Sequence, residues 1–207
     1  MKILIVSDLH EHKIEDIVPV EILDSIDFII SSGDYQENYP FPKEAIGIYG
    51  NHDVDPNHSL ISVNHEIKQY KGMSFLGIEG VFCGEKRYKS PRKRPYHQLE
   101  SEVARCLSKM DYVTFFITHE RAFEIFDDKF NTHPGNKALR KYIDEKKPKF
   151  YISGHMSNNK PMMIVGETLC LNPHGFKWDY IILTLVGQYN SVAFYKGKEK
   201  VAEYESL

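Results

Sequence analysis

Apolar runs that each end in a polar turn recur through the first three quarters of the chain. Residues 2–7, 28–30, 45–49, 73–78, 112–117 and 150–153 are short and predominantly apolar, without strict alternation. Such runs suit strands covered on both faces. Between them, residues 14–22 predict a short helix broken by Pro19. Leu99, Val103, Cys106, Leu107 and Met110 recur at helical spacing and predict an amphipathic helix over 98–109. Ala138, Leu139 and Tyr142 do the same over 136–145, with Pro148 closing that helix. Residues 82–96 and 122–134 read as irregular. After residue 155 the pattern changes: strands at 162–165, 168–171, 180–186 and 192–195 are joined by short turns holding Gly166, Gly175 and Gly187. No helix intervenes, which predicts an antiparallel meander. The architecture is a mixed sheet, or two sheets face to face, with helices outside.

Composition narrows the class. At 207 residues the chain is long enough for one well-buried domain, taken as 1–207, and short for two. Apolar content of 42% and charged content of 27% are those of an ordinary globular protein. A net charge of -3 gives no global pull toward nucleic acid or an anionic membrane. Cys83, Cys106 and Cys170 are scattered and lack zinc-ligand spacing, so a reducing, cytoplasmic setting is expected. The N-terminal apolar run is too short for a secretory signal and reads as a core strand. No stretch approaches a membrane span.

The chemistry gathers at the strand ends. Five apolar runs lead into Ser7-Asp8-Leu9-His10, Gly33-Asp34, Gly50-Asn51-His52-Asp53, Thr118-His119 and Gly154-His155. One Asn-His-Asp turn alone is an ordinary local hydrogen-bonding turn. Five oxygen- or nitrogen-bearing turns, each at the end of a strand, are where open α/β sheets build their sites. Carboxylates, imidazoles and an amide oxygen, with no thiolate, suit Mn, Fe, Zn, Ni or Co. Two such ions about 3.5–4 Å apart activate a bridging hydroxide for in-line displacement at phosphorus.

In order and spacing, Asp8-x-His10, Gly33-Asp34, Gly50-Asn51-His52-Asp53, His119 and Gly154-His155 resemble the motifs of the calcineurin-like metallophosphoesterases. The likeness runs from residue 2 to about Gly175 and is strongest to small single-domain bacterial and archaeal phosphoesterases. It also takes in Gly135-Asn136-Lys137-Ala138-Leu139-Arg140, Lys147-Pro148-Lys149 and Leu171-Asn172-Pro173. The resemblance implies a four-layer αββα sandwich with a dinuclear centre, manganese first among the metals. It makes Asp34 the bridging ligand. Asp8 and His10 would serve the first ion, and Asn51, His119 and His155 the second. His52 would face substrate as general acid or phosphate clamp. Glu37 takes the place of the acid that orients that histidine in serine/threonine phosphatases. The arginine that follows in those enzymes is Asn38 here.

One departure stands out. Where the family has Gly-His-x-His, this chain has Gly154-His155-Met156-Ser157, so the first ion loses an imidazole. Water held by Ser157 is the expected repair, ahead of His174 and then His133. Asn51, Arg121 and His174 are further candidates for substrate contact. The expected activity is metal-dependent hydrolysis of phosphoric esters, leaning to phosphodiester or nucleotide-type substrates. The rival is a non-catalytic scaffold of the same fold that binds protein partners. A nuclease using the basic loop 86–94 ranks last.

Overall fold

A computed structural model describes residues 1–10, 12–35, 40–53, 59–83, 96–126, 135–157, 160–175, 178–187 and 189–205. In chain order the elements are β1 (Lys2–Val6), α1 (Ile14–Ile17), α2 (Val20–Ser25), β2 (Phe28–Ser31), β3 (Ala45–Gly47), β4 (Leu60–Ser62), β5 (Lys68–Tyr70) and β6 (Met73–Ile78). They continue with β7 (Val81–Cys83), β8 (His97–Leu99), α3 (Glu100–Leu107), β9 (Phe115–Thr118), α4 (Lys137–Lys146), β10 (Phe150–Ser153), β11 (Met162–Val165) and β12 (Thr168–Leu171). β13 (Tyr180–Val186), β14 (Tyr189–Lys196) and β15 (Glu199–Glu205) close the chain. The helix expected over 14–22 is two helices, and it runs on to Ser25. Pro19 has no N–H to continue the first and sits at the N-cap of the second.

Two large sheets carry the fold. One runs β15-β14-β13-β1-β2-β3-β4, the other β11-β12-β10-β9-β6-β5, and β7 pairs with β8 as a small third sheet. β1 to β4 are parallel to one another. So are β6, β9, β10 and β12. Within each strand the side chains alternate between two cores. Ile3, Ile5, Phe28 and Ile30 meet Phe75, Phe115, Phe150 and Leu171 between the sheets. Leu4, Val6 and Ile29 face α1 and α2 with Ile14 and Leu23. Leu76, Phe116 and Tyr151 face α3 and α4 with Val103, Leu139 and Tyr142. Three cores separate four layers, the αββα sandwich. Both faces of each central strand are buried, which is why these runs are apolar without alternation.

The expected single meander is corrected. β11 and β12 form an antiparallel hairpin, but β12 lies parallel to β10 in the six-stranded sheet. β13 and β14 belong to the other sheet, with β13 antiparallel to β1. The sequence between β12 and β13 therefore crosses from one sheet to the other. Leu169 and Leu171 bury into the same inter-sheet core as Ile181 and Leu183, so hydrophobic pattern could not separate the two sheets.

Candidate metal centre

The carboxyl ends of parallel strands from both sheets meet at one place. β1, β2 and β3 deliver Asp8 and His10, Asp34, and Asn51 with His52. β9 and β10 of the opposite sheet deliver His119 and His155. The backbone turns sharply at four of these positions. Asp8, His10, Asp34 and His155 all have positive φ, at 54°, 48°, 55° and 64°. That conformation is costly for non-glycine residues unless neighbours hold them there. Here they do. Asp8 N–H donates to the Gly33 carbonyl at 3.0 Å, and His10 N–H to the Asp34 carbonyl at 3.0 Å. Asp34 N–H donates to Asp53 Oδ2 at 2.9 Å, and His155 N–H to Asp8 Oδ2 at 2.9 Å.

Asp34 is the centre of the arrangement. Its Oδ1 accepts the His52 backbone N–H at 2.8 Å. Its Oδ2 is buried, receives no well-directed hydrogen bond, and lies 3.3 Å from Nε2 of His119. His119 is itself fully buried. Its Nδ1 lies 2.8 Å from the Ser32 carbonyl, which can only accept, so Nδ1 carries a proton. Nε2 then faces Asn51 Oδ1 at 3.0 Å and Asp34 Oδ2 at 3.3 Å. Two oxygens and one ring nitrogen surround a point that calls for positive charge. A proton on Nε2 supplies it in part: burial opposes the imidazolium, but Asp34 and Asp8 outweigh burial and lift His119 to about 9. Burial works against the Asp34 carboxylate too, yet the His119 and His52 contacts hold it below the ordinary range. A divalent cation is the other answer. Among the described residues, ligand atoms of Asp8, Asp34 and His119 lie within 4.8 Å of one another. Hard oxygens, an imidazole and an orphaned buried carboxylate oxygen fit such an ion.

The other expected residues flank this trio. Ser7 Oγ donates to Asp8 Oδ2 at 2.5 Å, so both of these donors settle on one oxygen of Asp8. The His155 ring is edge-on to His119 with centroids 5.1 Å apart. Burial, then the His119 charge, depress His155 to about 4, which keeps it in the neutral form a metal requires. His10 is exposed, and its ring is edge-on to His52 at 5.5 Å. His52 is exposed and is anchored to Asp34 through its backbone, which frees the ring to face outward. Two glycines make the approach possible. A Cβ on Gly50 would overlap the Asp34 carboxylate, and one on Gly154 would overlap the Ser7 hydroxyl beside Asp8.

Ser157 and His174 are brought together: Ser157 Oγ lies 2.5 Å from His174 Nε2. Arg121 is buried, and its guanidinium donates to the Phe126 carbonyl at 3.2 Å. Glu37, His133 and the basic loop 86–94 lie outside the described residues.

In the sequence Asp53 is marked only as the last residue of the Gly50–Asp53 turn. It is buried, and its Oδ2 accepts from both Gly50 N–H at 2.6 Å and Asp34 N–H at 2.9 Å. Burial lifts it to about 6. The signal was its position two residues past Asn51, on a turn that has to hold its own shape.

The sequence matches the calcineurin-like phosphoesterase superfamily domain over residues 1–178, and the chain belongs to that family. Solved structures share its fold at low identity. A predicted phosphoesterase from Streptococcus pneumoniae is 15% identical with a TM-score of 0.53, covering 99% of this chain and 95% of its own. A protein from Thermus thermophilus is 13% identical with a TM-score of 0.57, covering 100% and 99%. Vps29 of Entamoeba histolytica, solved with Zn²⁺, is 12% identical with a TM-score of 0.51 and covers both chains fully. A search of curated proteins finds no match. Among the described residues no helix is long and apolar enough to cross a membrane.

Proposed function

We propose that this protein is a dinuclear, metal-dependent phosphoesterase. The observation that supports the reading is the approach of Asp34 Oδ2 and the half-buried Asn51 Oδ1 to Nε2 of the buried His119, with Asp8 alongside. Asp8, His10 and Asp34 would hold a first ion, and Asp34, Asn51, His119 and His155 a second. Divalent ions at these residues, Mn²⁺ foremost, would supply Lewis-acid charge and an activated water for attack at phosphorus. The chain's own contributions are distinct. Asp53 and Ser7 hold the two carboxylates in place. The Ser32 carbonyl fixes the His119 tautomer, so that Nε2 is the nitrogen offered to metal. His52 is placed to donate a proton to the leaving oxygen. Family membership supports the phosphoesterase class, and the Zn²⁺-bound fold neighbour shows that a protein of this fold takes up a divalent ion. Within that class the reading leans to phosphodiester or nucleotide-type substrates, in a reducing cytoplasm.

The test is hydrolysis of p-nitrophenyl phosphate and bis(p-nitrophenyl) phosphate with added Mn²⁺. Asp34→Asn is expected to abolish turnover of whichever ester wild type cleaves, and to lower bound metal. Substantial activity in that variant would remove Asp34 from the centre. Ser157 in place of an imidazole favours the second reading, a partner-binding scaffold. Wild type that binds metal yet cleaves neither ester would support the scaffold instead.

A further inference from the structure

We infer that His174 replaces the imidazole missing at position 157 and completes the first metal site. This rests on the two-ion reading above and deepens it. The residue two beyond His155 is a serine, whose neutral hydroxyl is a poor ligand for a divalent ion. The structure puts a ring nitrogen beside that hydroxyl: His174 Nε2 lies 2.5 Å from Ser157 Oγ. The ring comes from a different strand, but from the same sheet end. β12 lies next to β10 and parallel to it, so residues that follow the two strands emerge together.

Asn172 ties the two loops. Its Nδ2 donates to the Met156 carbonyl at 3.0 Å, and its Oδ1 accepts the His174 N–H at 2.9 Å. Its own carbonyl accepts the Trp178 indole N–H at 2.9 Å. Asn172 is buried, so these bonds are shielded from water and hold the His174 backbone against residues 156–157. The loop that carries Ser157 is fixed to the centre from the other side, through the His155 N–H on Asp8. An imidazole has thus been moved from one loop to its neighbour while remaining in contact with position 157. A serine hydroxyl both donates and accepts, so Ser157 can hold either tautomer of the ring. A cation on the Nε2 lone pair would displace the hydroxyl from it. Water held by Ser157, the repair expected from sequence, is the rival outcome, since a hydroxyl bonded to His174 keeps a lone pair for water.

The test is calorimetric titration of metal-free protein with Mn²⁺, using wild type, His174→Ala, Ser157→His, and Ser157→His combined with His174→Ala. Far-UV circular dichroism would check that each is folded. Should His174→Ala fail to fold, His174→Gln takes its place. Wild type is expected to bind two ions, and His174→Ala to lose affinity for one by at least about 10–100-fold, the loss typical of an outer partner of a ligand. The double variant should regain that ion, because the imidazole is returned to position 157. Long-range ¹H–¹⁵N NMR of the Zn²⁺ form should show a metal-bound nitrogen on His174. Two ions bound equally well by wild type and His174→Ala would overturn the assignment while leaving the phosphoesterase reading intact. A wild type that binds fewer than two ions would overturn both.

Discussion

At His52 the backbone and the side chain have separate duties. The N–H is bonded to Asp34 Oδ1, while the exposed ring stands beside that of His10. A change confined to the ring should therefore alter chemistry and spare metal. His52→Gln is expected to lower kcat by roughly 10²–10⁴-fold, the worth of a positioned proton donor. Metal content, measured by atomic emission, should stay at the wild-type level; a fall would make His52 a ligand. Glu79 offers a pH signature. Burial, then the negative charge of Asp53, raise its carboxyl from an ordinary 4.5 to about 7. The folded state thus holds the proton more tightly than the unfolded chain. The stability this contributes is complete below pH 4.5 and is lost as pH rises through 7. In metal-free protein, the melting temperature of Glu79→Gln should fall less than that of wild type over that window. Parallel curves for the two proteins would mean that Glu79 titrates normally.

Among the elements, α4 shows how a local rule sets a boundary. Asn136 is its N-cap: the side chain accepts the Leu139 N–H at 3.0 Å and the backbone pairs with Arg121 and Phe123. Asn136→Ala leaves a buried N–H without its partner. It should cost about 1 kcal/mol of unfolding free energy, measured by urea denaturation. The helix over 136–145 was legible because Asn, an apolar stripe and Pro148 all mark it. β4, β5, β7, β8 and β15 were not legible. The first four are three residues each, with little apolar periodicity, and become strands through their partners. β15 is a charged edge strand, Glu199–Glu205, paired on one side with β14. Its charge protects an open edge and hides the strand from a hydrophobic reading.

Across the whole molecule, the centre joins the two sheets. Carboxylates come from the β1–β2 side and the buried imidazole of His119 from the β9 side, above a core that includes the stacked rings of Phe75, Phe115 and Phe150. An ion held between the sheets binds the folded protein and not the unfolded chain, so metal should stabilise the fold. At 100 times the dissociation constant the gain is about 2.7 kcal/mol. Mn²⁺ should therefore raise the melting temperature of wild type, and Asp34→Asn should show little rise. Equal shifts in the two proteins would place the ion elsewhere. The apolar strands, their polar ends and the residue types gathered there were legible in the amino-acid order because all three are local: burial on two faces demands unbroken apolar runs, and each turn follows its own strand. Only the packed molecule settled which sheet each late strand joined, that Asp53 would hold Asp34, and that His174 would meet Ser157. Those outcomes depend on which strands lie side by side: β2 beside β3 brings Asp34 to Asp53, and β10 beside β12 brings Ser157 to His174, pairings between segments that are separate in the chain.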